Sequence, residues 1–89
     1  AYSRLHTSHA FHSAMMDNAA DALRDETARV TYGTATLPYI SCVTGDWQTG
    51  ERGTSPDYWA RHCRETVRFS AGLETLCRGV KPVLMEIGP

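Results

Sequence analysis

The chain holds four histidines, and His6, His9 and His12 fall together in Leu5-His-Thr-Ser-His-Ala-Phe-His-Ser13. An imidazole can exchange a proton near neutral pH, ligate a metal, or simply hydrogen-bond to water and carbonyls. Metal binding through His-x-x-His-x-x-His requires rings that converge. On an extended or turning segment His9 and His12 diverge, and no carboxylate or cysteine within a few residues completes a tetrahedral set. A polar loop satisfied by water makes no demand at all. A general base needs a nucleophile: Ser8 and Ser13 are near, but Ser13 suits a helix cap and the chain has no Gly-x-Ser-x-Gly elbow. If His12 is catalytic, its serine must come from elsewhere. The residues by themselves leave the three uses open.

The elements that would hold these side chains follow from periodicity. Tyr2 to Ser8 alternates weakly and reads as the end of a strand. From Ser13 the period changes: Met15, Met16, Ala19, Ala20 and Leu23 share one helical face, with Ser13 as N-cap, predicting a helix to about Arg24. His12 thus falls where a strand ends and a helix begins, and active sites of open α/β sheets gather at such strand ends. Leu37-Pro38-Tyr39-Ile40-Ser41-Cys42-Val43 has apolar residues on both parities, which predicts a strand covered on both faces, with Pro38 at its start. Thr44-Gly45-Asp46 closes it.

Gln48 to Thr54 reads as a polar loop. Ser55-Pro56-Asp57 is a helix start, with Tyr58, Trp59, Cys63 and Val67 as its buried face. Tyr58 and Trp59 are expected to pack that helix on the sheet, and Arg61, Arg64 and Arg68 to form a solvated basic row. Phe69, Leu73, Leu76 and Cys77 mark a further helix stopping at Gly79, and Val83 to Ile87 a last strand. The order predicts an α/β protein with right-handed crossovers onto a parallel sheet. Two strands cannot make a doubly covered sheet, so the stretch is expected to be a piece of a larger domain.

Composition narrows the classes. Nine Lys+Arg against ten Asp+Glu leave no basic surplus for a phosphate footprint, so no nucleic-acid partner is expected. No apolar run approaches the roughly 20 residues of a membrane span. Ala1 to His12 lacks the charged-then-apolar pattern of a signal peptide. Cys42, Cys63 and Cys77 form no Cys-x-x-Cys and read as reduced thiols suited to the cytoplasm.

Four blocks carry a resemblance: Ser8-His-Ala-Phe-His-Ser13, Ile40-Ser-Cys-Val-Thr-Gly45, Tyr58-Trp-Ala-Arg-His-Cys-Arg-Glu-Thr-Val-Arg-Phe69 and Val83-Leu-Met-Glu-Ile-Gly-Pro89. In this order they resemble the acyltransferase domain of modular polyketide synthases, to which the bacterial malonyl-CoA:acyl carrier protein transacylases are similar. The resemblance implies the carboxyl-terminal third of an α/β-hydrolase-like parallel-sheet core, entered from the last strand of a ferredoxin-like insertion. Residues 1–12 would close that small subdomain, and residues 13–89 would belong to the core.

The resemblance also implies the chemistry. His12, not His9, would be the catalytic base for a serine outside the stretch, moving a malonyl unit from malonyl-CoA to the phosphopantetheine thiol of an acyl carrier protein. The main-chain carbonyl of His62 would orient His12, leaving the His62 side chain incidental. His9-Ala10-Phe11-His12 resembles the word found in malonyl-selective members, where Tyr-Ala-Ser-His accompanies methylmalonyl. The ring of Phe11 would fill the space an α-methyl needs; alternatively Phe11 packs under the helix. Asn18 and Thr66 stand where proline is usual. No cofactor or metal is implied for the stretch, and its partners would be the carrier protein, the remaining acyltransferase domain and neighbouring synthase domains. By itself it is expected to be inactive. A non-catalytic remnant serving as a structural or docking module of a megasynthase is the competing expectation.

Overall fold

The computed structural model describes residues 2–4, 6–50 and 53–88. A 3-10 turn, Ala14–Met16, leads into α1, Asp17–Thr27. Ser13 caps this 3-10 turn, its Oγ accepting from the Met15 amide at 3.2 Å, whereas α1 itself begins after Met16 without a side-chain cap. The helix outruns its predicted end at Arg24 because Asp25, Glu26 and Thr27 continue it; the Thr27 hydroxyl donates back to the Leu23 carbonyl at 2.7 Å.

Strand β1, Ala35–Ile40, pairs antiparallel with β2, Trp47–Gly50. This corrects two expectations: the sheet is a hairpin rather than a parallel pair, and part of the predicted polar loop is a strand. The physical cause lies in Ser41–Asp46. Gly45 takes φ 72, a left-handed conformation glycine reaches without a Cβ penalty, and the Ser41 amide donates to the Asp46 carbonyl at 3.0 Å. The chain therefore reverses at once. Pro38 lies inside β1, not at its start, where the register shifts between Ala35 and Tyr39; a residue without an N–H is accommodated at such an irregularity.

Helix α2, Pro56–Arg64, starts on Ser55, whose Oγ accepts from the Tyr58 amide at 3.2 Å. Helix α3, Phe69–Cys77, ends before Gly79 at φ 77, as predicted. Helices α1 and α2 pack together. Ala20 and Ala60 are buried, and ion pairs Arg24–Asp57 (2.8 Å) and Arg64–Asp17 join the two helices. The α3 helix packs on β1 through Gly72, where an added Cβ would meet Ile40 Cγ2 at 2.8 Å.

The predicted strand ending over Tyr2–Ser8 does not form in residues 2–4 and 6–8; Leu5 lies outside the described residues, as do Glu51 and Arg52 of the expected loop. Val83–Ile87 also has no ladder among the described residues. Val83 is 94% exposed and Ile87 90%: an apolar run can be a strand only beside a partner strand. No helix among the described residues is long and apolar enough to cross a membrane.

Candidate active site

Phe11 and His12 form a tight turn just before the helix cap. The Phe11 amide donates to the His9 carbonyl at 3.1 Å. Ser13 does more than cap: its hydroxyl also donates to the Ala10 carbonyl at 2.5 Å, clasping the turn shut. Inside the clasp His12 takes φ 56, a conformation that costs a non-glycine residue about 1–3 kcal/mol and persists only where the surroundings enforce it.

That backbone carries the His12 ring into a half-buried position. Its Nδ1 is shut off from water and has no hydrogen-bond partner among the described residues. Buried polar atoms are normally paired, so an unpaired one marks an atom placed for something else. His62, in the last turn of α2, meets His12 edge-on, with ring centroids 6.4 Å apart and planes at 71°. Tyr58 and Trp59 lie 6.2 and 6.0 Å from the His62 ring. Tyr58 is in turn fixed by a buried hydrogen bond with Ser41 at 2.9 Å.

The main chain at His62 is also suited to accept. Helix α2 ends at Arg64, Glu65 is extended, and the Glu65 amide donates to the Arg61 carbonyl at 2.7 Å. The His62 carbonyl thus belongs to the terminal turn, whose acceptors have no α-helical amide donor ahead of them.

The other site candidates are more exposed. His9 turns to its neighbour, Nδ1 lying 2.9 Å from Ser8 Oγ, so Ser8 pairs with His9. Ala10 contributes its carbonyl to the Ser13 clasp. Phe11 is 57% exposed. Among the described residues no three His, Cys, Asp or Glu side chains converge on a metal position. Trp59 is more open than expected, while Tyr58 is buried.

Arg61 and Arg64 are not a free basic row. Arg61 grips Glu65 through two contacts, 2.7 and 3.2 Å, and Arg64 pairs with Asp17. The Arg61 hydrogen bond holds the Glu65 carboxyl below the usual carboxylate range. Hydrogen bonds donated to Asp21 and Asp57 raise Arg24 above its already high range. These charges neutralise one another across a cleft of about 290 Å³ between α1 and α2.

The sequence points to Tyr58 as a packing residue but not to Ser41, and not to their hydrogen bond behind the ring of His62. The available signal was a small polar residue, Ser41, inside a largely apolar run.

The capped turn thus presents a half-buried imidazole with an unpartnered nitrogen among the described residues, a group able to exchange a proton near neutral pH. The sequence profile of the family described as acyl transferase domain matches residues 1–89, and the chain belongs to that family. It is 36% identical over 87 residues to the spectinabilin polyketide synthase system protein NorB of Streptomyces orinoci, covering 98% of this chain and 4% of that protein. Among solved structures it matches the acyl transferase domain of SpnD, in complex with 2-(pent-4-yn-1-yl)malonyl, at TM-score 0.81 and 38% identity, covering 90% of this chain and 20% of that one. The acyltransferase domain from the second module of the salinomycin polyketide synthase matches at TM-score 0.75 and 39% identity, covering 85% and 18%. The chain therefore spans about a fifth of those two structures.

Proposed function

We propose that this stretch supplies the general base of a polyketide synthase acyltransferase that moves malonyl units from coenzyme A to an acyl carrier protein, with the nucleophilic serine contributed by residues outside it. The observation that carries this reading is His12: a strained, clasped backbone presenting an imidazole whose buried Nδ1 is unpartnered among the described residues and whose ring meets that of His62, in the last turn of α2. In the complete domain the His62 carbonyl would accept from Nδ1–H and leave Nε2 to face the serine.

In the first half-reaction Nε2 takes the serine proton as the hydroxyl oxygen attacks the malonyl thioester carbonyl. The tetrahedral intermediate collapses, the C–S bond breaks, and the imidazolium returns the proton to the coenzyme A thiolate. In the second half His12 takes the proton of the phosphopantetheine thiol, whose sulfur attacks the malonyl ester. The proton then returns to the serine oxygen, and the transferase cycles in ping-pong fashion. None of these steps calls on a metal or a resident cofactor.

The wider placement belongs to the same proposal. Residues 1–12 would close a ferredoxin-like subdomain and residues 13–89 would complete an α/β-hydrolase-like core. Exposed Leu37, Val83, Met85 and Ile87 would then be covered by the rest of the domain. The free thiols of Cys42, Cys63 and Cys77 suit a reducing cytoplasm.

The test is His12→Ala in the complete domain that carries this stretch, read as single-turnover acylation by malonyl-CoA. Loss of a general base should slow the step about 10²–10⁴-fold. Near-normal turnover would overturn the assignment.

A further inference from the structure

We infer that the imidazole ring of His62, in addition to its main-chain carbonyl, positions His12 for proton transfer. The inference rests on the reading of His12 as the base and goes beyond it, because the carbonyl role would leave the His62 side chain free to vary.

Three observations lead to it. First, the Ser13 clasp fixes the His12 backbone but not its ring: the clasp joins Ser13 Oγ to the Ala10 carbonyl and the Met15 amide. Second, the aromatic ring recorded against His12 is that of His62, edge-on at 6.4 Å. With Nδ1 unpartnered among the described residues, the ring of His62 is a contact that can set the His12 ring torsion alongside any carbonyl bond made in the complete domain. Third, His62 is itself held. Tyr58 and Trp59 precede it at the i, i+4 and i, i+3 spacings that put helix side chains side by side, and both rings contact it. Tyr58 is 7% exposed and tied to Ser41. A continuous line of packed groups therefore runs from the hairpin turn, through Tyr58 and His62, to His12. Its far end is the imidazole that must meet the serine.

Positioning of this kind acts on rate rather than on substrate binding. A misplacement of about 1 Å in a reacting group can cost on the order of 100-fold. The experiment uses the complete domain with His62→Ala, His62→Gln and His62→Phe, all of which retain the main-chain carbonyl. Malonyl-CoA is the substrate, kcat and KM are read separately, and rates are normalised to folded protein by burst amplitude. The Ala and Gln variants should lose about tenfold or more in kcat with KM within about twofold, and the Phe variant, which restores a flat ring, should recover most of the loss. Wild-type kcat per folded molecule in His62→Gln would overturn the inference, as would a Phe variant as slow as Ala. His12→Ala, run alongside, separates the two claims. If it is slow while the His62 variants are not, only the ring's role falls; if it is fast, the base assignment falls as well.

Discussion

The hydroxyls of Ser41 and Tyr58 hydrogen-bond at 2.9 Å in the interior, joining the hairpin turn to α2. Ser41 Oγ also accepts from the Val43 amide at 3.1 Å, so it serves the turn and the helix at once. Burial, and then a hydrogen bond with Tyr58, raise the Tyr39 phenol above its usual range, which adds a strand residue to the same cluster. Tyr58→Phe keeps the ring but leaves the buried Ser41 hydroxyl short of a partner. It should cost about 1–3 kcal/mol, read as a lower urea midpoint at unchanged m-value.

Ser13 is expected to couple stability to catalysis. Ser13→Ala removes the helix cap and the clasp on Ala10 together. The cap alone is worth about 1 kcal/mol. Without the clasp His12 has less reason to remain at φ 56, so acylation should slow even at temperatures where the domain is fully folded. Ser13→Thr, which retains a hydroxyl, should restore both. Thermal melts and single-turnover rates on the same samples check the pairing, and an Ala variant with lower stability but unchanged rate would contradict it.

Gly45 carries two independent constraints. Its φ of 72 disfavours any side chain, and an added Cβ would meet Ala71 Cβ at 2.8 Å. The Gly45 carbonyl also accepts from Thr75 Oγ1 at 2.8 Å, so the turn cannot back away from α3 without losing that bond. Gly45→Ala should destabilise by about 2–4 kcal/mol, combining left-handed strain with overpacking. Gly79→Ala shares the positive φ but meets nothing within 4 Å, and should cost only the strain. Comparing their denaturation midpoints separates the two contributions.

What could be read from the sequence was local, and what could not was tertiary. Ser13 and Ser55 as caps, Pro56 in the first helical turn and Gly79 beyond α3 all act within one turn of chain, and each stands where its chemistry predicts. Strand β2 escaped notice because Trp47–Gly50 is a strand by virtue of its ladder to β1, not of its own propensity. The run Val83–Ile87 failed in the opposite sense, having strand composition without a partner among the described residues. At the candidate site, the place of His12 before a capped helix left its use open, and only the family resemblance singled it out. Its positive φ and the approach of His62 follow from packing between segments far apart in the chain, which no spacing rule encodes.

Arg61 and Glu65 set a small acid dependence. The Arg61 hydrogen bond is the main cause lowering the Glu65 carboxyl, burial opposes it, and the charges of Arg61, Arg68 and Arg64 assist. A depressed carboxyl stabilises the folded state above the usual carboxylate range, and that contribution is lost as pH falls through the lowered value. Both side chains are well exposed, at 55% and 39%, and Glu65 follows Arg61 at the negative end of the helix dipole, the less favourable order. Solvent screening therefore limits the pair to about 0.5 kcal/mol. Glu65→Gln should lower stability by that amount at pH 7 and converge with wild type in strong acid. Urea titrations across the acid range would show the convergence, and an undiminished gap in acid would contradict the pairing.

Phe11 offers the most direct handle on substrate choice. In this structure its ring is 57% exposed on the turn that carries His12, and so is available to border whatever occupies the site. If that ring fills the space beside the malonyl α-carbon, Phe11→Ser should open room for an α-methyl group without touching the base. One methyl group is worth about 1–3 kcal/mol of discrimination in a pocket, so the ratio of kcat/KM for methylmalonyl-CoA over malonyl-CoA should rise roughly 10-fold or more. The rise should come from faster use of methylmalonyl-CoA, with acylation by malonyl-CoA changed little. Competition of the two thioesters for the complete domain, resolved by mass of the acylated protein, reads the ratio directly. A ratio unchanged in the variant would move selectivity away from Phe11 to residues outside this stretch.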